Sequence, residues 1–192
     1  MSLVVAYKHG GTVYMGADTQ STYDTAISRV LNESGYKITR LQSGILIGIC
    51  GSVKARQKIV AQKEWFNLPE GETLSKRHIV QNIIPKLCVL SKSLSDDKSA
   101  RNSSLDESIL MAHKDKMFMI AHYYEVYECG RYAAIGSGKD YSKYCLSQIE
   151  RSGDVNEGLL GALRAGAKFD SSVSAPYVLI DTLHREYKIV EG

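Results

Sequence analysis

A serine directly behind the initiator methionine, Met1-Ser2, is the first feature of this sequence with chemical potential. Ser2 is small enough to permit removal of Met1, which would leave an α-amine and a hydroxyl on one residue. An α-amine titrates near ~7.7–8.0, so part of it is neutral at physiological pH and can act as a base. The hydroxyl is a poor nucleophile alone and needs such a base and a nearby cation. Serine is also common in second position for processing and solubility reasons, so Ser2 counts only if other residues join it. The remaining reactive side chains form no familiar site. Cys50, Cys88, Cys129 and Cys145 are widely spaced and make no CxxC pair, which argues for reduced thiols and a cytoplasmic setting rather than a zinc site or a disulfide framework. No histidine falls in an HExxH frame; His113 and His122 could face each other across a hairpin, with a surface pair as the plainer reading. Gly138-Lys139 fails as a phosphate loop, since Ala133 stands where a glycine is needed and Asp140 where Ser or Thr is needed.

The elements that must position these residues follow from periodicity and turn chemistry. Residues 2–9 and 12–17 read as strands around a Gly10-Gly11 turn, and 35–41 and 45–50 as another pair around Ser43-Gly44. Ser52 can cap a helix running to about Phe66. A second helix is expected over about 73–94, with Pro85 kinking or splitting it. The polar run 95–104 reads as an exposed loop; strands return at 107–113, 116–122 and about 124–135. Helices fit 138–151 and 155–168, and closing strands fit 174–181 and 185–190. Runs of antiparallel strands alternating with helix pairs do not build a doubly wound parallel sheet. They predict an α+β fold, a four-layer αββα sandwich in one domain, with strands such as ILIGIC apolar enough for burial on both faces.

Three blocks in that order carry a resemblance. The stretch SLVVAYKHGGTVYMGADTQST, then YKITRL with GILIGICGS, then AAIGSGKDYS resemble the opening strand, lysine and glycine strands and GSG segment of the proteasome β-subunit family. They are most similar to the bacterial HslV-type peptidases of the N-terminal nucleophile (Ntn) hydrolases. The resemblance implies that Ser2 takes the nucleophile's place, usually threonine; serine keeps the hydroxyl but lacks the methyl that restricts χ1. It implies that Lys37 lowers the nucleophile's pKa and that Asp18 pairs with Lys37. It further assigns the oxyanion-facing N–H to Gly48, the bond to the nucleophile's amine end to Ser137, and a supporting carboxylate to Asp170. Each residue has a plainer role open to it: an edge-strand lysine, an Asx turn at Asp18, tight sheet packing at Gly48. Leu46 and Cys50 alternate about Gly48 on one face and are expected to line an apolar specificity pocket.

Composition sets the outer limits. The 192 residues are 44% hydrophobic and 23% charged, which suits one globular domain and excludes a disordered or fibrous chain. A net charge of +3, spread thinly, does not suit nucleic acid, and no apolar run reaches the roughly 18 residues of a membrane span. The implied function is peptide-bond hydrolysis on peptides or unfolded proteins, inside a homo-oligomeric ring served by a ring ATPase. It needs no cofactor, with a monovalent cation as an optional companion. Two alternatives stand beside it: a non-catalytic subunit or scaffold of the same fold, and an amidohydrolase acting on a small amide. The ends, Met1–Leu3 and Glu191–Gly192, also read as vector-derived, in which case another residue fills the place of Ser2 in the natural chain.

Overall fold

A computed structural model describes residues 2–23, 26–29, 32, 35–94 and 107–192. Two five-stranded antiparallel sheets are stacked face to face. The first has the order β10-β1-β2-β11-β12, from β1 (Leu3–His9), β2 (Thr12–Asp18), β10 (Tyr132–Gly136), β11 (Tyr177–Asp181) and β12 (Lys188–Val190). The second runs β5-β6-β7-β8-β9, from β5 (Ile38–Arg40), β6 (Leu46–Cys50), β7 (Ser108–His113), β8 (Lys116–Ile120) and β9 (Val126–Glu128). A separate hairpin, β3 (Gln20–Tyr23) with β4 (Ala26–Arg29), follows β2.

Strand alternation sorts side chains into three cores. On β1, Val4 and Ala6 point between the sheets, whereas Leu3, Val5 and Tyr7 pack under helices α4 (Lys139–Ser152) and α5 (Val155–Phe169). On β6, Leu46 and Cys50 point between the sheets, whereas Ile47 and Ile49 join Ile59, Ile79, Ile83 and Leu87 beneath the other helical layer. That layer is α1 (Val53–Ala61), α2 (Lys76–His78), a π-helical turn over Ile79–Ile83 and α3 (Ile84–Leu94). The αββα sandwich is therefore observed as the sequence predicts.

Local chemistry explains most boundaries. Ser52 caps α1, its hydroxyl accepting the Ala55 N–H at 3.1 Å. Gly153 ends α4 in the left-handed region at φ +77°, and Asp154 caps α5 by accepting the Glu157 N–H at 3.1 Å. Pro85 does split the long helix. It brings no N–H and crowds the preceding turn, and the chain answers with the π turn, in which Ile84 N–H reaches the Ile79 carbonyl.

Four expectations need correction. The run 124–135 is not one strand: β9 and β10 lie in different sheets, with residues 129–131 crossing between them. The β3–β4 hairpin escaped notice because its polar residues lack an alternating apolar face. His113 and His122 do not face each other, since the β7–β8 register sets His113 opposite Lys116; His113 is buried, and its Nδ1 accepts the Leu74 N–H at 3.2 Å. The α1 segment stops at Ala61, and Lys63–Phe66 continues as a 3₁₀ turn. The expected loop at 95–104 lies outside the described residues. Among the described residues, no helix is long and apolar enough to cross a membrane.

Gly48 shows how tightly the sheets approach. A Cβ there would lie 2.7 Å from Val4 Cγ1 and 3.0 Å from Met15 Cε, inside the core between the sheets. Gly48→Ala should therefore destabilise the fold by ~1–3 kcal/mol through overpacking. Urea denaturation checks this, and an unchanged midpoint would mean that the sheets separate freely at this point.

Candidate active site

One buried carboxylate gathers three chain segments. Asp18, the last residue of β2, accepts the Leu3 N–H at 2.9 Å through Oδ1 and the Gln20 N–H at 3.1 Å through Oδ2. Lys37, just before β5, donates from Nζ to Asp18 Oδ2 at 2.6 Å. Their side chains are 3% and 0% exposed, so water contributes almost nothing to holding either charge. Burial pushes the Lys37 ammonium below its ordinary range, opposed by the Asp18 carboxylate. Burial likewise pushes Asp18 up, opposed by Lys37 and the two backbone donors. The ion pair expected from the sequence is thus present, and the Asp18–Gln20 contact shows that its Asx-turn role coexists with it.

The other side of Ser2 is held by a chain of hydroxyls. Ser2 itself is buried, its N–H donates to Ser137 Oγ at 3.3 Å, and the Ser137 N–H donates back to the Ser2 carbonyl at 2.9 Å. Ser137 Oγ lies 3.3 Å from Ser172 Oγ, which donates to Asp170 Oδ1 at 2.5 Å; the Ser172 N–H reaches the same oxygen at 2.9 Å. Burial works against ionisation of Asp170, but hydrogen bonds from Ser137 and Ser172 outweigh it and hold the carboxyl below its ordinary range. The structure therefore brings Ser137 and Asp170 together on one side of Ser2. The sequence reading missed Ser172, two residues after Asp170, which links them.

Gly136, the first glycine of the GSG block, sits directly over the start of β1. It has φ +100°, and a Cβ on it would run into the Ser2 carbonyl and come within 2.9 Å of Cys50 Sγ. Only a glycine lets β10 close over the start of β1.

Gly48, Leu46 and Cys50 are not where the sequence reading put them. Ile49 N–H donates to the Lys37 carbonyl at 2.9 Å, so the neighbouring Gly48 amide turns the opposite way, toward β7, where Leu110 is its register partner. Its amide belongs to the ladder, and its missing side chain serves sheet packing. Leu46 and Cys50 are buried in the core between the sheets and offer no surface to a substrate. Burial also pushes the Cys50 thiol up to about 12, which keeps it neutral beside the site and removes it as a competing nucleophile. The next glycine along the chain is Gly51, where a Cβ would run into Glu107. It lies two residues past Ile49, exposed, beyond the end of β6 and at φ +147°. Among the described residues, no group of three or more His, Cys, Asp or Glu is arranged to hold a metal ion.

No protein-family model matches the chain. It is 26% identical over 157 residues to the ATP-dependent protease subunit HslV of Campylobacter concisus, covering 80% of this chain and 81% of that protein. The HslV of Campylobacter curvus is 25% identical over 157 residues, covering 80% and 79%. Among solved structures, BPH of Thiobacillus denitrificans, in complex with epoxomicin, superposes with a TM-score of 0.72 at 20% identity over 93% of this chain and 97% of that one. HslV of Trypanosoma brucei gives 0.65 at 20% identity, over 93% and 98%. The chain is related to the HslV-type proteasome-like proteins and has their fold.

Removing one partner of the buried pair leaves the other charge stranded. Asp18→Asn should cost ~3–5 kcal/mol of stability, whereas Asp18→Asn with Lys37→Met should regain most of it. Urea unfolding of both variants tests this. A single variant as stable as the parent would show that the pair is hydrated rather than buried.

Proposed function

We propose that this chain is a proteasome-like peptidase that hydrolyses peptide bonds with Ser2 as its N-terminal nucleophile. The observation that carries the reading is the enclosure of Ser2 between the Asp18–Lys37 pair and the Ser137–Ser172–Asp170 chain. An N-terminal nucleophile needs a fixed hydroxyl, a cation beside it and hydrogen-bonding groups around its amine. The start of β1 has the elements for all three once Met1 is removed.

The steps balance within the chain's own groups. The Ser2 α-amine takes the hydroxyl proton as Oγ bonds to the substrate's carbonyl carbon. Lys37, positioned by Asp18, stabilises the alkoxide character of the attacking oxygen. We assign to the Gly51 N–H, at the exposed end of β6, the bond to the oxyanion of the tetrahedral intermediate, the role the sequence reading gave to Gly48. As the C–N bond breaks, the leaving amine carries off the proton held by the α-amine. Water then attacks the Ser2 ester, the α-amine again taking a proton, and the acid product leaves with Oγ restored. Ser137, backed by Ser172 and Asp170, orients the amine between these transfers, so both serines are positioning residues.

Assembly follows from the relatives, which are named as ATP-dependent protease subunits. Applied to this chain, that supports a homo-oligomeric ring acting on peptides or unfolded proteins, with a ring ATPase partner and a cytoplasmic location. The exposed aromatics Tyr141 and Phe169, stacked at 5.0 Å on the outer helical layer, provide apolar surface of the kind that subunit contacts cover.

Intact mass after treatment with a peptide epoxyketone, which captures a hydroxyl and its own α-amine together, tests the chemistry. A single adduct on Ser2 without Met1 is expected, and its loss in the Asp18→Asn, Lys37→Met double variant, which removes the cation while retaining the fold. A free Ser2 that takes no adduct would favour the non-catalytic subunit. Light scattering tests the assembly: a ring many times the 21.2 kDa chain is expected, and a free-standing dimer would count against a chambered protease.

A further inference from the structure

A cavity of about 220 Å³ opens beside the site, lined by Tyr36, Arg56, Gln57, Val60, Ala61 and Lys63. Its position follows from its neighbours along the chain. Tyr36 directly precedes Lys37, and Arg56 lies in the first half of α1, the helix that starts two residues after Gly51. Val60 and Ala61 give the cavity apolar wall for an aliphatic stem, and Arg56 and Lys63 line it as cations.

Charge is what makes the cavity specific. No carboxylate lines it, and among the described residues neither Arg56 nor Lys63 forms an ion pair. Arg56 is half-buried, and burial lowers its pKa, while the Lys37 ammonium feels it as a like charge. The carboxylate that Arg56 feels, Asp18, is bonded to Lys37 rather than to Arg56, so the guanidinium fork keeps its donors for a second anion. Its planar fork matches a carboxylate bidentately, and 220 Å³ leaves room for a short acidic side chain with water, each water taking roughly 30 Å³.

The geometry points to this cavity as the binding place for an acidic side chain of the peptide, on the residue whose carbonyl becomes bonded to Ser2, with Arg56 and Lys63 holding the carboxylate. The inference rests on the peptidase reading above. The acyl-side residue is the relevant one because it stays attached to Ser2 in the intermediate, so a cavity fixed relative to Ser2 reads its side chain through both halves of the reaction.

Peptide epoxyketones that differ only in the residue bearing the ketone (Glu, Gln, Leu or Lys) test it through the rate of adduct formation on Ser2. The Glu compound should react about tenfold faster than the Gln compound, which corresponds to ~1.4 kcal/mol. Arg56→Glu should reverse the order, favouring Lys over Glu. Lys63→Gln, at an exposed position, should reduce the Glu-to-Gln ratio without any question of folding. Equal rates for Glu and Gln, a preference for Leu, or a ratio unmoved by both variants would overturn the acidic preference while leaving the peptidase reading intact. No adduct with any of the four would sink the peptidase reading and the preference with it.

Discussion

The site depends on a carboxylate that has been taken out of water and given three donors. Asp18 holds the start of β1 through Leu3, the exit of β2 through Gln20 and the entry to β5 through Lys37. Enclosing two charges costs several kcal/mol per ion before their attraction is counted, and an apolar pair of the same volume would stabilise the sandwich as well or better. What the pair contributes is position. Lys37 cannot swing toward solvent without abandoning Asp18, and Leu3 cannot shift along β1 without withdrawing its amide from the same carboxylate. The residue between those constraints is Ser2.

Holding Ser2 also requires that two sheets and one loop meet there, and glycines decide whether they can. Gly48 lets Val4 and Met15 sink into the second sheet, so that β1 and β6 lie close enough for Lys37 to reach Asp18. Gly136 lets β10 pass over the Ser2 carbonyl, and Ser137 then bonds both backbone polar groups of Ser2. The Asp170–Pro176 segment is braced in turn from the far end of β2 and from the hairpin. Thr19 Oγ1 donates to the Pro176 carbonyl at 2.9 Å, Gln20 Nε2 to the Ser171 carbonyl at 3.1 Å and Arg29 Nε to the Ala175 carbonyl at 2.8 Å. The short polar hairpin β3–β4 thereby supports the loop that carries Ser172.

Much of this was legible in the sequence because strand period and helix caps are local. The αββα order, the Ser52 cap, the split at Pro85 and the motif positions of Asp18, Lys37, Ser137 and Asp170 all rest on residues close together in the chain. The failures share a different cause. Whether Gly48 has a free amide depends on which neighbour its N–H faces, and the Ile49–Lys37 bond turns it into the ladder. Leu46 and Cys50 share a face, as their spacing requires, but the second sheet covers that face. Ser172 could have been found by asking what hydroxyl lies within two residues of Asp170, although its link to Ser137 crosses 35 positions. The division of 124–135 between two sheets has no local marker beyond Cys129-Gly130, since both halves pair as ordinary strands.

The choice between an enzyme and an inert scaffold turns on burial as well. A scaffold needs the three cores, the helix pairs and the close approach at Gly48, and all of these would survive with an apolar pair in place of Asp18 and Lys37. It needs no carboxylate beneath the Ser137 and Ser172 hydroxyls. The Asp18–Lys37 pair and the Ser137–Ser172–Asp170 chain place polar groups around the start of β1 that packing alone would have left out. The neutral thiol of Cys50 completes the argument, because it fills the core beside Lys37 without ionising. That leaves Ser2 as the residue between the buried charges, which hold its neighbour Leu3, and the hydroxyl chain, which holds its backbone through Ser137.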